Sequence, residues 1–365
     1  MKKIIVIMKH YFTLILFFSF CSIGLSQGTF LPFNNPNISY EGRIVYQKDA
    51  AVLSWSGTSV NLYFEGSAIS AIMQDKDTGN YYNVVIDDKV LGKIHTDTTK
   101  RRYLLASNVD LGFHHLKLFK RTEWDKGKTL FFGFELPVDA AVSTDPSPKK
   151  RKIEFYGNSI TCGYAIEDSS GKDSGNGCFE NNYLSYSAIV ARHFHAQYSC
   201  ISKSGIGIMV SWFKLIMPEM YDRLDPFDST SKWDFEAYTP DVVVVHLLQN
   251  DSWLVKMPMN EQFKYRFGGK APDSNFIIDA YKNFVSSIRA KYPQASIICV
   301  LGDGSITKEG SHYPAYVNEA VAQLKDDKIY THFFAYKKSR GHPRIGEHST
   351  MAKDLIQFIE KNIVW

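Results

Sequence analysis

The feature that most limits the folds open to this chain is a change of pattern across residues 137–152. Ahead of it come short runs rich in β-branched and aromatic residues, at 42–46, 51–55, 59–64, 68–73, 81–86, 103–106, 114–119 and 129–136. Pairs such as Ser56-Gly57, Glu65-Gly66 and Asp87-Asp88 stand between them and supply the backbone angles that tight reversals need. Spacing of this kind predicts an all-β sandwich. Residues 137–152, with Pro146, Pro148 and the basic cluster Lys149 to Lys152, read as a linker. Beyond it strand patterns (153–156, 198–202, 241–248, 296–301, 329–334) alternate with helical ones (183–194, 275–292, 316–324, 346–363). That alternation predicts a parallel sheet with helices on both faces. The plan is thus a β-sandwich over 27–137, a linker over 138–152 and an α/β domain over 153–365. A chain of 365 residues that is 44% hydrophobic has the material for two cores.

The first 26 residues have the pattern of an export signal. Lys2, Lys3 and Lys9 give a basic start, residues 11–25 are apolar and aromatic, and Gly24-Leu25-Ser26 offers a small-x-small cleavage site, so the mature chain is expected to begin near Gln27. The apolar run is shorter than the roughly 20 residues that span a bilayer, which favours removal over anchoring. Phe20, before Cys21, is bulky where lipid attachment wants a small residue. The mature protein is therefore expected to be secreted or periplasmic. Losing the leader removes three lysines and no acid, so the formal charge falls from +4 to +1. Such a balance gives no argument for a nucleic-acid or anionic-membrane partner. Cys200 and Cys299 sit in apolar strand-like runs and read as buried thiols. Cys162 and Cys178 bracket a polar, glycine-rich loop, and in an exported protein they are either free or paired as a disulfide that closes it.

Four polar clusters follow strands of the α/β half, where open sheets gather their ligand-binding groups. The first, Tyr156 to Gly163, puts Ser159 after a tight turn, at a helix start whose unpaired N–H groups favour an oxyanion. The second is Ser202-Lys203-Ser204-Gly205-Ile206-Gly207, whose glycines let backbone N–H groups approach a ligand. The third, Leu248 to Trp253, carries Asn250, whose side-chain amide can donate to an oxyanion. The fourth, Ser339 to Pro343, sets His342 just before the last helix. Singly, the first and third read more readily as turn chemistry, the second as readily as an ordinary strand-to-loop turn, and the fourth as a solvated loop histidine.

Taken in order, the four clusters resemble the blocks of the SGNH hydrolase superfamily. The sandwich in front, Gly-Asn-Ser-Ile-Thr-Cys-Gly-Tyr, Ser-Gly-Ile-Gly and the final His-Pro are similar to carbohydrate esterase family 2. The resemblance implies a jelly-roll sandwich fused to an SGNH hydrolase domain, acting as an acetyl esterase on xylan and related acetylated polysaccharides or oligosaccharides. It further implies Ser159 as nucleophile, His342 as base, and the N–H groups of Ser159 and Gly205 with the Asn250 side chain as the oxyanion hole. No cofactor is implied. Tyr164, Trp212 and Trp253 are candidates to stack on sugar rings, against the simpler reading of core packing.

Three departures stand out. Asn158 replaces an aspartate beside the nucleophile, and Leu248 stands where a glycine is usual. Residues 335–341 contain no carboxylate, although the family pattern sets an aspartate three before the histidine. The expectation is a Ser159–His342 dyad, the imidazole oriented by a backbone carbonyl near Arg340 or by Ser339, with Asp251 and Asp303 as remote substitutes.

Other classes fit less well. The Gly-x-Ser-x-Gly elbow of α/β-hydrolases is missing. His114 with His115, and His193 with His195, have spacings that point their rings apart, and no His-Glu-x-x-His occurs, so no metal site is expected. A glycan-binding protein without catalysis remains the alternative from another class, though it has no need for Ser159, Asn250 and His342 together.

Overall fold

The computed structural model describes residues 28–365; the expected leader lies outside them. Two antiparallel sheets form the first half. One runs β3 (Ile44–Tyr46), β4 (Ala51–Leu53), β11 (Thr129–Leu136), β6 (Ala68–Asp75), β9 (Arg101–Ser107), with β1 (Thr29–Pro32) sharing the edge of β11. The other runs β12 (Ala141–Ser143), β5 (Ser59–Glu65), β10 (Phe113–Lys120), β7 (Tyr81–Ile86), β8 (Lys89–His95), with β2 (Ile38–Glu41) beside β5. Strand period makes the core: Val60, Leu62 and Phe64, Tyr82, Val84 and Ile86, and Leu116 and Leu118 point inward to meet Ile69, Ala71, Met73, Phe131 and Phe134. Each Val, Leu, Ile, Met or Phe among them contributes about 1.5–3 kcal/mol on burial.

The second half is a parallel sheet of order β14 (Ala196–Ser202), β13 (Arg151–Gly157), β15 (Val242–His246), β16 (Ser296–Asp303), β17 (Ile329–Tyr336). The four valines of β15 explain its central place. Val243 and Val245 enter one core with Tyr281, Phe284, Ile288 and Val317, while Val242 and Val244 enter the other with Val190, Met351, Leu355 and Ile359. The first core is covered by α5 (Ser274–Lys291) and α6 (Tyr313–Leu324), the second by α2 (Tyr186–His193) and α7 (Ile345–Asn362). Helix α5 starts at an aspartate cap, the Asp273 carboxylate accepting the N–H of Phe276 at 2.9 Å. Three shorter helices complete the half: α1 (Ser159–Cys162), α3 (Gln249–Leu254) and α4 (Glu261–Phe267). No helix among the described residues is long and apolar enough to cross a membrane.

Several elements depart from the sequence expectation. β8 shows no alternation because nearly all of it faces solvent. β12 lies within the expected linker and pairs with β5. The helix expected over 183–194 is broken: a 3₁₀ turn at Asn182–Leu184 precedes α2, whose cap is Ser185.

The two halves share a buried seam. Phe119 and Val85, on the outer face of the second sheet, pack with Tyr183 and Tyr198 of the α/β half. Trp55 donates its indole N–H to the Leu224 carbonyl at 2.8 Å. Arg43, fully buried, donates to the carbonyls of Tyr221 (2.6 Å) and Arg223 (2.7 Å) and faces Glu154 of β13 at 3.4 Å. Glu154 also accepts from the hydroxyls of Tyr156, Tyr292 (2.9 Å) and Ser199 (2.7 Å). Both charges are thereby paired and hydrogen-bonded, as burial requires, although the Arg43 Nε finds no partner of its own.

Candidate active site

The strand order reverses direction at β13, whose two neighbours carry the chain away to opposite sides, and the polar clusters meet at the carboxyl ends there. Ser159 opens α1, two residues beyond β13. Asn158 caps that helix, its side-chain oxygen accepting the Ile160 N–H at 3.1 Å, so the asparagine fills the same local role that an aspartate would. As the first helical residue, Ser159 has no helical partner for its own N–H. The side chain is 8% exposed.

His342 arrives from the loop after β17, at the far edge of the sheet. Its Nε2 lies 2.9 Å from Ser159 Oγ. Its Nδ1 lies 2.9 Å from Asp173 Oδ2. A carboxylate only accepts, so Nδ1 carries the hydrogen and Nε2 is left to receive the serine proton. The dyad expectation is corrected here. Ser339 is turned outward to Glu347, Arg340 is exposed, and the acid comes from the loop between α1 and α2.

Asp173 is fixed from several directions. Its carboxylate also accepts the His342 backbone N–H (3.0 Å to Oδ2) and the Arg344 guanidinium (2.7 Å to Oδ1), and Arg344 ties back to the Ala165 carbonyl at 2.8 Å. Partial burial raises the cost of the charge, but the hydrogen bonds from His342 and Arg344 outweigh it and hold the carboxyl below its ordinary value. Gly341 makes the approach possible: at φ 77° it sits in the left-handed region, and a Cβ there would come within 2.8 Å of the Asp173 carboxylate. Asp168 shapes the loop by accepting the N–H groups of Ser170 (2.9 Å) and Ser174 (2.8 Å). Tyr164 donates to the Asp173 carbonyl at 3.2 Å and packs its ring 4.8 Å from the imidazole.

Gly205 follows β14 and Asn250 follows β15, on either side of β13. Gly205 has φ 82°. The Asn250 amide is oriented by two neighbours: its oxygen accepts the Trp212 indole N–H at 3.1 Å and its nitrogen donates to the Ile206 carbonyl at 2.9 Å. One amide hydrogen is left for a ligand. Leu248, ahead of Asn250, has φ 73°, the angle at which glycine is favoured and a leucine is strained. Trp212 and Trp253 are 45% and 41% exposed, so neither is a core residue.

Neither remote acid serves the histidine. Asp251 is buried and accepts the N–H groups of Ile208 (3.1 Å), Met209 (2.7 Å) and Val210 (3.1 Å), fixing the turn after Gly207. Asp303 is buried near Lys337 at 3.9 Å, and burial lifts its carboxyl to about 6. The disulfide alternative is also set aside: Cys162 and Cys178 are free, and the Cys162 thiol is buried against Ser202 Oγ at 3.1 Å. Cys200 and Cys299 are buried free thiols.

A serine, an asparagine and a histidine beyond the carboxyl ends of β13, β15 and β17 of an α/β sheet, behind a β-sandwich, define a two-domain hydrolase of the SGNH type. The family model described as "Carbohydrate esterase 2 N-terminal" matches residues 40–146. The solved structure of a family two carbohydrate esterase from Clostridium thermocellum, in complex with cellohexaose, is 33% identical with a TM-score of 0.79, covering 89% of this chain and 98% of that one. The chain belongs to carbohydrate esterase family 2. The cellulase/esterase CelE of Acetivibrio thermocellus is 32% identical over 91% of this chain, which spans only 40% of that relative's length. An acetylxylan esterase/glucomannan deacetylase of Cellvibrio japonicus is 25% identical over 91% of this chain and 90% of the relative.

Proposed function

We propose that this protein is an exported serine esterase that removes O-acetyl groups from polysaccharides such as xylan or glucomannan. The observation that carries the reading is the line Ser159 Oγ, His342 imidazole, Asp173, both of its hydrogen bonds 2.9 Å long. His342 takes the Ser159 proton as the hydroxyl attacks the acetyl carbonyl, and Asp173 stabilises the imidazolium that forms. The negative oxygen is received by the N–H groups of Ser159 and Gly205 and the second amide hydrogen of Asn250. His342 then returns the proton to the leaving sugar hydroxyl. Water, deprotonated by the same imidazole, then attacks the acyl carbonyl, and His342 gives that proton to Ser159 Oγ as acetate leaves.

The carbohydrate assignment draws on the names of the relatives and on the exposed indole faces of Trp212 and Trp253, which suit sugar rings. The leader pattern, residues 1–26, supports secretion or a periplasmic location. Acetate release from acetylated xylan, by the wild type and by Ser159→Ala, tests the proposal. Turnover is expected only in the wild type; wild-type release by the variant would remove Ser159 as nucleophile, and binding without turnover by the wild type would favour a glycan-binding role.

A further inference from the structure

We infer that the sandwich contributes a positioning residue to the site: Glu123, which anchors the loop that presents the Gly205 N–H. This rests on the reading of Gly205 as an oxyanion donor. Glu123 lies between β10 and β11 and is 1% exposed. One carboxylate oxygen accepts the Ser204 backbone N–H at 2.6 Å and the other accepts the Ser204 hydroxyl. Ser204 immediately precedes Gly205.

The grip is wider than one residue. Asp125 pairs with Lys203 at 2.8 Å, and the Lys203 ammonium lies over the Trp124 ring at 4.7 Å. Three consecutive sandwich residues thus hold two consecutive residues of the α/β half. Glu123 is itself held at both backbone ends, its N–H donating to Glu180 Oε2 (2.9 Å) and its carbonyl accepting from Lys120 Nζ (3.0 Å). Glu180 closes the loop that bears Asp173, and Arg121 ties that loop again through the Glu180 carbonyl (3.1 Å) and the Glu167 carboxylate. One stretch of the sandwich, residues 121–126, therefore sets the positions of both the oxyanion loop and the acid loop.

The physical need is plain. A glycine at φ 82° has no side chain to hold it, so the direction of its N–H depends on the residue before it. A buried carboxylate that takes both donors of Ser204 fixes the preceding peptide plane and the Ser204 side chain, and so the Cα from which the Ser204–Gly205 peptide projects, before substrate arrives; a donor positioned in advance costs no reorganisation during reaction.

Glu123→Ala separates positioning from simple structural support. Expected is a fall in kcat for an acetate ester of about 10- to 100-fold, less than the loss of a donor outright, with KM within about twofold. Methylboronic acid, whose tetrahedral adduct on Ser159 places an oxygen at the oxyanion position, should bind more weakly by the same factor as kcat. Glu123→Gln, which keeps an oxygen for the Ser204 N–H, should restore most of the rate. A folded Glu123→Ala with wild-type kcat, or one changed in KM alone, would overturn the inference. If that variant does not fold, Ser204→Ala removes only the hydroxyl arm; it should lower kcat several-fold, and wild-type kcat there overturns the inference equally. Ser159→Ala run in parallel keeps the two questions apart, since its turnover would sink the esterase reading and not Glu123 alone.

Discussion

Asp251 and Asp173 serve neighbouring parts of the site in opposite ways. Asp251 sits in α3, one residue after Asn250, buried and satisfied by three backbone N–H groups of the turn after Gly207. Asp173 sits in an irregular loop at φ 56°, partly exposed, and its partners are a side chain, a guanidinium and one N–H from residues about 170 positions away. The first acid holds a backbone turn and the second holds the His342 imidazole. Strand ends thus present groups whose place follows from the strand, whereas a loop presents a group only where long-range contacts put it.

The largest effects should come from the reacting pair itself: Ser159→Ala and His342→Ala are each expected to lower kcat by at least about 10⁴. Next is Asp173→Ala, with kcat down by about 10² to 10⁴ and KM little changed, because the imidazole loses both its orientation and its counter-charge. A rate within twofold of wild type would restore the dyad and erase the contrast between the two acids. Asp251→Ala should show the reverse profile. Three buried N–H groups lose their acceptor, each at about 1–3 kcal/mol, so a large drop in Tm is expected with a smaller loss of kcat. If Asp251→Ala instead melts like wild type, its role as a shape-holding residue fails. Asp303→Ala should keep near-wild-type kcat.

The smallest effect is a pH signature. The folded Asp173 carboxyl lies below its unfolded value, so its contribution to stability is present above the unfolded carboxylate range, near pH 4, and is lost as pH falls through the folded value. The stability gap between wild type and Asp173→Asn should therefore be constant at neutral pH and close in acid. A gap that widened in acid would mean that Asp173 is not ionised beside His342.

The same contrast explains what the sequence discloses. β5, β7, β10 and β11 are legible because their side chains alternate between core and outer face, and β15 because a run of valines has nowhere to go but the middle of a covered sheet. Ser159, Asn250 and His342 are legible because their clusters each follow a strand of the α/β half and, taken in order, resemble the SGNH blocks. Asp173 is not. Its segment also contains Glu167, Asp168 and Glu180, all acidic and all near glycines, and only the folded chain shows which one reaches the imidazole. The single local hint is Gly341, whose missing side chain leaves room for an incoming carboxylate. β8 and α4 stay hidden for a simpler reason, since neither buries a full face.

Arg43 and Glu154 bear on how the molecule comes to be assembled. During synthesis every strand of the sandwich sheets but β12 is complete by residue 136, before Glu154 exists, so the Arg43 guanidinium begins in water. Docking strips water from both ions together, at a cost on the order of several kcal/mol for each, and that cost is offset only when the carbonyls of Tyr221 and Arg223 and the hydroxyls of Tyr156, Tyr292 and Ser199 are all in place. The pair therefore favours the one join that supplies these partners.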